Sequence, residues 1–190
     1  MTTNLYPAGT EVPVTVTYLE MTARPSFSRP SLPIGPPTAL IRAEAPPAWY
    51  FLALYGAVGR DWEWTDWFKR SEAEIDSFVG DRDVHTYTLM RHGWPAGFFM
   101  LDHREVGRAD LAYFGLVPQA LGNGLGNYLL KTAIHTGWDF PGVTRMTVET
   151  CTLDHPRALG LYQKCGFVPV GQSEKTQVLA LPREMPTFTT

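Results

Sequence analysis

The chain has 190 residues, of which 44% are hydrophobic and 18% are charged, and its formal net charge at pH 7 is -3. A chain of this length buries roughly 70% of its unfolded surface around a single core, so we expect one globular domain. The sequence contains no basic run that would displace counterions from phosphates, which argues against a protein that coats nucleic acid.

The N-terminal region predicts one strand followed by an arm. Val12, Val14, Val16 and Tyr18 alternate with polar residues or proline, which is the period of a half-buried strand, and Pro13 favours an edge position. Residues 24–37 contain five prolines and are expected to form an extended connector. We therefore divide the chain into an N-terminal strand with a proline-rich arm, residues 1–37, and a main domain, residues 38–190, within one globular unit.

The middle of the chain predicts a strand, two helices and three strands. The strand covers 38–44, and the helices cover 48–59 and 66–78. Three strands at 85–91, 96–103 and 108–117 then form a meander. A glycine-rich segment and a helix to about residue 138 follow.

The last part predicts a strand, a helix and two closing strands. The strand covers 143–150, and Asp154 or His155 is expected to cap the next helix, with Gly166 as its left-handed stop. The closing strands are expected at 167–170 and 176–181. The whole order predicts an α/β (α+β) fold, with a mixed, largely antiparallel central sheet flanked by helices.

Targeting signals and metal motifs are not evident in the sequence. The longest apolar run, 49–58, is about half of the roughly 20 residues that a membrane-spanning helix needs. Residues 1–4 lack the basic and apolar regions of a secretory signal, so we expect a cytoplasmic protein without a membrane contact. Cys151 and Cys165 are expected to be free thiols, and no His/Cys cluster has the spacing of metal ligands.

The unit with the clearest chemistry is a strand, a glycine-rich loop and a helix, at residues 111–131. Glycines let successive backbone N–H groups point into one concavity, and the following helix N-terminus adds the positive end of its dipole. Such a concavity holds a phosphate, although a tight turn that binds nothing has the same pattern. The loop reads Leu121-Gly122-Asn123-Gly124-Leu125-Gly126.

The spacing of this loop differs from the better-known phosphate-binding motifs. A Walker loop needs Gly-Lys followed by Ser or Thr, whereas Lys131-Thr132 lies inside the predicted helix. The dinucleotide motif GxGxxG fails by one residue, because the third glycine is Gly126. Glu149 ends the next strand, where a ribose-binding acid could lie, so a dinucleotide-binding enzyme remains an alternative.

A second motif changes this interpretation. Residues 155–167 read His-Pro-Arg-Ala-Leu-Gly-Leu-Tyr-Gln-Lys-Cys-Gly-Phe. Together with the glycine loop, this segment resembles the GNAT superfamily of acyl-CoA N-acyltransferases. The loop is similar to the family's R/Q-x-x-G-x-G/A motif, and 155–167 is similar to N-x-x-A-x-x-x-Y-x-x-x-G-F. The resemblance covers about residues 96–170 and implies acetyl-CoA as the acyl donor, with no metal.

The resemblance implies where the donor binds. The family's strand end, whose backbone pairs with the pantetheine arm, corresponds to Leu116, Val117 and Pro118. The amides that bind the pyrophosphate correspond to Leu121, Gly122, Asn123, Gly124, Leu125, Gly126 and Asn127. Two positions depart from the motifs: Leu121 replaces the usual Arg or Gln, which removes one charge-assisted phosphate contact. His155 replaces the usual Asn, so the sequence leaves open whether residue 155 makes the family's contact with pantetheine.

The resemblance also implies the catalytic groups. Tyr162 matches the tyrosine that protonates the departing CoA thiolate in many family members, although it could instead be a core aromatic residue. The attacking amine has a pKa of about 10 and must lose a proton before attack. Asp110 and Glu149 are the candidate bases, and either could equally be a solvated strand residue.

The acceptor side is expected near residues 60–67, where three tryptophans stand among three acids. Aromatic faces with carboxylates suit a cationic amine, whereas the alternative is a helix junction with its tryptophans packed inward. His103 and Tyr113 could also face the cleft.

The sequence therefore predicts an N-acetyltransferase in which an unidentified amine attacks the acetyl-CoA thioester directly in a ternary complex. The amine could belong to a small molecule or a peptide. A non-catalytic acyl-CoA-binding module and the dinucleotide-binding enzyme are the alternatives. The N-terminal arm could reach a neighbouring subunit, which leaves a homodimer open.

Overall fold

A computed structural model describes residues 3–186 of the chain. The strands and α-helices are β1 Thr3–Tyr6, β2 Glu11–Met21, β3 Thr38–Ala43, α1 Ala48–Gly59, α2 Glu72–Val79, β4 Val84–Arg91, β5 Trp94–Asp102, β6 Arg108–Leu116, α3 Leu125–Trp138, β7 Arg145–Cys151, α4 Ala158–Lys164, β8 Val168–Val178 and β9 Arg183–Pro186. Short 3-10 helices cover Arg60–Trp62, Asp66–Lys69 and Pro118–Ala120. None of the helices within 3–186 combines the length and the apolar character needed to cross a bilayer.

The main sheet has seven strands in the order β3-β4-β5-β6-β7-β2-β8. All neighbouring strands are antiparallel except β6 and β7, which are parallel. Strands β1 and β9 form a separate antiparallel pair. The predicted mixed, largely antiparallel sheet flanked by helices is therefore confirmed. A dinucleotide-binding fold needs an open, mostly parallel sheet, so the structure removes the support for that alternative.

Strand β2 lies inside the sheet, so the predicted edge position is wrong. The strand pairs with β8 along almost its whole length, but its ladder with β7 begins only at Val16, opposite Cys151. Pro13 precedes this point and faces Thr176 of β8. A proline is tolerated there because β2 has a partner on only one side at that position, so no second ladder needs its missing N–H.

The proline-rich arm that follows β2 runs across α3. Arg24 and Arg29 both pair with Asp139, at N–O distances of 3.1 and 2.5 Å. The Phe27 ring lies 4.9 Å below the Lys131 ammonium group, and the Phe27 carbonyl lies 3.1 Å from Nε2 of His135. The arm thus packs against α3 of the same chain. It connects β2 to β3, which is the edge strand at the other end of the sheet.

The core is centred on β5, which is buried on both faces. Phe98, Phe99, Met100 and Leu101 are all fully buried, as expected of a strand covered by helices on both sides. Glycines permit close contacts between layers: a Cβ on Gly115 of β6 would lie 2.3 Å from Val58 of α1. These contacts hold α1 directly over β6, beside the functional cavity.

Three other local predictions need correction. The predicted helix at 66–78 is a 3-10 turn followed by α2, because Ser71 and Glu74 form a capping box that starts a new helix. The two predicted closing strands are one strand, β8, whose side chains are nearly all exposed and so lack a regular apolar alternation. Helix α4 has Arg157 at its N-cap position, not Asp154 or His155, whereas Gly166 does follow it with a φ of +99°.

Candidate active site

The main cavity opens between β6 and β7. These strands pair at only three positions, the last of which joins Asp110 to Thr147. A bulge follows at Ala112, because Leu101 of β5 faces Leu111 whereas Met100 faces Tyr113. A bulge bends and twists its strand, and β6 diverges from β7 beyond this point. The opening between the two strands, which we call the wedge, is closed at the pair Asp110–Thr147 and widens beyond it. A cavity of about 750 Å³ occupies the wedge, and residues 111–116 and 149–151 line it.

The glycine loop forms one wall of this cavity. Gly122 and Gly124 have φ values of +81° and +71°, a region that disfavours side chains, and no atom lies within 4 Å of where a Cβ on either would stand. Helix α3 starts at Leu125 without a side-chain cap, so its first N–H groups have no side-chain partner. The loop is therefore an open cradle of amides at a helix N-terminus, which fits a phosphate group.

Most of the residues predicted to bind the donor line this cavity. They are Leu116, Leu121, Gly122, Gly124, Leu125, Gly126, Asn127 and His155. Val117 and Pro118 instead line a second groove next to α1, and the Val117 N–H donates to the Ala96 carbonyl at 3.0 Å. The Asn123 side chain donates to the Leu121 carbonyl at 3.2 Å and so fixes the turn. The Val117 amide is thus engaged within the sheet.

Tyr162 brings a phenol to the cavity from α4. Its side chain is 6% exposed and packs against Phe114 and Phe167, each with ring centroids 6.1 Å apart. Burial, with the charge of Asp154, raises the pKa of Tyr162 well above its ordinary value. Among residues 3–186 its hydroxyl has no hydrogen-bond partner. The phenol is therefore protonated at neutral pH and free to donate.

The two candidate bases occupy different positions. Asp110 lies at the closed end of the wedge, where its carboxylate accepts a hydrogen bond from the Thr147 hydroxyl, and it is not among the cavity-lining residues. Burial raises the pKa of Asp110. Glu149, two residues further along β7 than Thr147, is exposed and lines the cavity. Only Glu149 is placed to receive a proton from a molecule bound there.

His155 lies at the mouth of the cavity, between β7 and α4. Its Nδ1 accepts a hydrogen bond from the Arg157 backbone N–H at 3.1 Å, and its ring packs against Trp62 with centroids 5.2 Å apart. Burial, with the charge of Arg157, lowers the pKa of His155. The neutral ring therefore carries its proton on Nε2 and can donate a hydrogen bond, as the amide of an asparagine would.

The tryptophan-rich segment both packs inward and faces the cavity. The Trp67 indole donates to the Tyr113 hydroxyl at 2.5 Å and stacks on Phe78 at 4.6 Å. Trp62, Trp64, Asp66 and Tyr113 line the cavity. Burial, with smaller contributions from the charges of Asp66 and Glu149, raises the pKa of Tyr113 to about 12. The segment therefore supplies an aromatic wall with two nearby carboxylates. His103 packs on Phe140 instead of facing the cavity.

Glu63, one of the three acids of residues 60–67, joins this segment to the C-terminal part of the chain, which is a role that sequence reasoning missed. Glu63 is 6% exposed, and its carboxylate accepts hydrogen bonds from the N–H groups of Ala180 and Leu181 at 2.6 and 3.4 Å. It has a φ of +62°, so it reverses the chain between Trp62 and Trp64. Lys175 and Gln177 of β8 also line the cavity. No sequence motif marks these three residues, because their role depends on where β8 pairs.

The cysteines and metal-ligand residues do not suggest other chemistry. Both cysteines are free, and Cys151 lines the cavity. Burial and the neighbouring Asp154 raise the pKa of the Cys151 thiol, which opposes formation of a nucleophilic thiolate. No group of three or more His, Cys, Asp or Glu residues within 3–186 is arranged to hold a metal ion.

Several solved structures with a similar fold are described as acetyltransferases or GNAT proteins. A GCN5-related N-acetyltransferase from Kribbella flavida is 16% identical, with a TM-score of 0.54 and coverage of 85% of this chain and 56% of its own. A tandem GNAT protein from the clavulanic acid biosynthesis pathway is 16% identical, with a TM-score of 0.63 and coverage of 90% and 55%. An aminoglycoside acetyltransferase from an uncultured soil metagenomic sample is 14% identical, with a TM-score of 0.54 and coverage of 68% and 91%.

These similarities concern the fold, since all three identities are low. The chain spans little more than half the length of the first two of these proteins. No curated protein sequence matches it significantly. Residues 49–167, which include β6, the glycine loop, α3, β7 and α4, match the family described as the acetyltransferase (GNAT) family. The chain belongs to the GNAT acetyltransferase family.

Proposed function

We propose that this protein is an N-acetyltransferase that moves an acetyl group from acetyl-CoA to an amine, by direct attack within a ternary complex. One observation carries the proposal: a single wedge-shaped cavity joins an open amide cradle, a protonated phenol and an exposed carboxylate. These are the groups of the glycine loop, Tyr162 and Glu149. The absence of an activated thiol near the wedge supports direct attack over a covalent route.

The donor fits the cavity through backbone and side-chain groups. The Leu121 N–H donates to the Pro118 carbonyl at 3.2 Å, so the amides of residues 122–127 are the ones that suit the pyrophosphate. They stand at the N-terminus of α3, and Gly122 and Gly124 leave the approach to them open. Leu116 lies where β6 has left β7, so the diverging strand end suits the pantetheine arm. His155 takes over the contact of the family's asparagine, with Nε2–H as the donor. The Val117 N–H is engaged with Ala96 and plays no part in this binding.

The chemistry requires one proton to leave the amine and another to reach sulfur. A free amine has a pKa of about 10, so a base must accept its proton before attack. Glu149 fills this role, since its carboxylate faces the cavity, and Asp110 supports the closed end of the wedge. Tyr162 donates its phenolic proton to the thiolate that leaves. Its raised pKa keeps the phenol protonated at neutral pH before the reaction, and the proton taken up by Glu149 returns through solvent to restore Tyr162 at the end of the cycle.

The acceptor side suits a cationic amine. Asp66 and Glu149 line the same cavity as the aromatic side chains of Trp62, Trp64 and Tyr113. Carboxylates and aromatic faces together attract an ammonium group. Small amines and peptide N-termini both have this chemistry.

A thermal-shift series with CoA, acetyl-CoA, NAD and ATP tests the donor. A ligand that binds only the folded state raises the melting temperature, so CoA and acetyl-CoA should raise it whereas NAD should not. Thiol release from acetyl-CoA is then measured with polyamines, an aminoglycoside, amino acids and peptides. Absence of any response to CoA species at millimolar concentration would overturn the proposal. Binding without thiol release from any amine would favour a non-catalytic acyl-CoA-binding module.

A further inference from the structure

The groove beside α1 is a second large concave surface, outside the main cavity. It has a volume of about 960 Å³. Small residues of α1, among them Ala53 and Ala57, line one wall, and the aromatic side chains of Trp64, Phe68 and Trp94 line others. The proposed acetyl transfer uses none of these side chains except Trp64, so the groove has no role yet.

The aromatic side chains of this groove are only partly used by the protein itself. Phe68 is 54% exposed and Trp94 is 38% exposed, although rings of this size contribute most when they are buried. Within residues 3–186, the indole N–H groups of Trp64 and Trp94 have no hydrogen-bond partner, in contrast to that of Trp67. The groove therefore suits a ligand that has apolar side chains and accessible carbonyl groups.

The proline-rich arm contains a segment with these two properties. Residues 30–37 include four prolines and form neither helix nor strand. Ile34 is fully exposed and Leu32 is exposed, and neither packs against the core. The carbonyl groups of residues 32–34 have no hydrogen-bond partner within 3–186. Extended proline-rich segments typically dock into aromatic-lined grooves, because their backbone is ordered before binding.

The arm does not cover the groove of its own chain. Arg29 pairs with Asp139 at 2.5 Å, and the Pro37 carbonyl accepts a hydrogen bond from the His92 N–H at 3.0 Å. These contacts anchor the segment at both ends, with Ile34 turned toward solvent between them. Because the segment is already ordered, its docking costs little conformational entropy. Its partner is therefore a groove on another molecule, and every copy of this chain has one.

The arm and the groove adjoin the same turn, which joins β4 to β5. His92 of this turn bonds to Pro37 of the arm, and Trp94, two residues further, lines the groove. A two-fold axis beside the turn would bring the arm of each copy to the groove of the other. Stable interfaces bury roughly 1,200–2,000 Å² in total, so one short segment in one groove is small. A reciprocal exchange doubles the contact and closes the assembly at two copies.

We propose that the protein is a two-fold homodimer in which the segment Leu32-Pro33-Ile34 of each copy inserts into the groove beside α1 of the other. Ile34 packs among the aromatic rings of the groove, and the indole N–H groups of Trp64 and Trp94 donate to carbonyl groups of the segment. The proposal concerns assembly, so it does not depend on acetyl transfer.

Light scattering and sedimentation over a range of concentrations test the proposal. The parent should have twice the mass of the chain. Ile34→Asp should raise the dissociation constant of the dimer at least about 30-fold, because each copy loses a central apolar anchor and places a charge in the groove. Val106→Asp is the matched control, since Val106 is equally exposed but lies in the turn between β5 and β6, and it should leave the dimer intact.

A groove variant tests the other half of the contact. Ala57 is exposed on α1 and lines the groove, and arginine is a good helix former, so Ala57→Arg should block the groove without unfolding α1. It should weaken the dimer as strongly as Ile34→Asp does. A mixture of the two variants should recover part of the dimer, because the Ile34→Asp copy retains an intact groove and the Ala57→Arg copy retains an intact arm.

Each result supports or overturns the proposal. A parent that is monomeric at its highest soluble concentration would overturn it, as would a dimer that neither variant weakens. If only Ile34→Asp weakens the dimer, or if the mixture recovers none, the arm does not bind this groove and the proposal is wrong. Dissociation by Val106→Asp would show a general effect of charge and would also contradict it. Melting temperatures establish that each variant is folded.

Discussion

Tyr162 and Glu149 face one cavity from two consecutive elements of the chain. Tyr162 comes from α4 and Glu149 from β7, and the wedge between β6 and β7 lies between them. Each side chain has a single task in the proposed reaction. Their substitution should therefore change the rate without a matching loss of stability.

Tyr162→Phe should lower kcat by about 10²-fold, the scale of general acid catalysis. The change deletes only a hydroxyl that has no protein partner among residues 3–186, so the aromatic packing remains. Thiol release at saturating acetyl-CoA gives kcat, and a melting curve verifies the fold. An unchanged kcat would assign Tyr162 a packing role only.

Glu149→Gln should also lower kcat by about 10²-fold, whereas Asp110→Asn should change it much less. Glu149 lines the cavity, but Asp110 is bonded to the Thr147 hydroxyl at the closed end of the wedge. Rates measured from pH 6 to 9 compare the two variants. A larger loss with Asp110→Asn would transfer the role of base to Asp110.

A buried histidine should make stability depend on pH. His85 is 8% exposed, its Nδ1 has no hydrogen-bond partner within 3–186, and burial lowers its pKa below the ordinary value of 6.5. The unfolded state therefore takes up a proton first as the pH falls, so stability is highest above pH 6.5 and decreases between 6.5 and the folded pKa. His155 contributes with the same sign.

Melting temperatures at pH 7.5, 6.5 and 5.5 measure this effect. His85→Leu should flatten the decrease, because it removes the group whose protonation the folded state disfavours. His92→Leu is the control, as it changes a histidine in the exposed turn between β4 and β5. An equally steep decrease in the His85 variant would contradict the assignment.

At the scale of elements, close contacts at glycines position the cavity walls. A Cβ on Gly59, at the end of α1, would lie 2.3 Å from Trp64, whose ring also contacts Tyr55 and Tyr113 at 5.4 and 5.3 Å. The end of α1 therefore determines where Trp64 stands. Trp64 in turn separates the main cavity from the groove beside α1.

Gly59→Ala should destabilise the protein by about 1 to 3 kcal/mol, the range for overpacking. Gly160→Ala is the matched control: its Cβ meets no atom, so it should stabilise α4 by about 0.5 to 1 kcal/mol. Urea unfolding without ligand compares them. A neutral Gly59→Ala would mean that Trp64 moves freely and is not fixed by α1.

The sequence predicted elements well where a local signal exists. Helix α1 was predicted with its observed bounds, because Pro47 precedes it and an apolar run fills it. Strand β8 was predicted as two strands, because a strand exposed on both faces has no apolar period. For the same reason, the contribution of Lys175 and Gln177 to the cavity could not be predicted. The motif residues of the glycine loop and α4 were found because their chemistry depends on local spacing.

At the scale of the whole molecule, β2 is the part of the structure that the sequence pattern misplaced. Periodicity identified the strand, but its position between β7 and β8 depends on pairing with residues near the other end of the chain. Local patterns contain no information about such partners. The same placement brings Val16 into the wall of the main cavity.

Leu19→Ala should therefore cost about 2 to 5 kcal/mol, because Leu19 of β2 is 1% exposed in the core. Arg24→Ala, in the arm, should cost no more than about 1 kcal/mol, since its pair with Asp139 is exposed. Denaturant unfolding measures both. Light scattering of each variant, compared with the full chain, also tests the homodimer that the sequence leaves open; a change in mass with Arg24→Ala alone would favour it.

The position of β2 also sets an order of events during synthesis. Glu11 pairs with Val178 and Met21 with Met146, so this early strand must wait for almost the entire chain before either neighbour exists. Contacts of such long sequence separation close slowly, because a large loop must be ordered first. Strands β3 to β6 can form their antiparallel meander while the ribosome is still translating. Closure of the sheet around β2 is therefore expected to be the late, rate-limiting step of folding, and the wedge acquires its full set of walls only then.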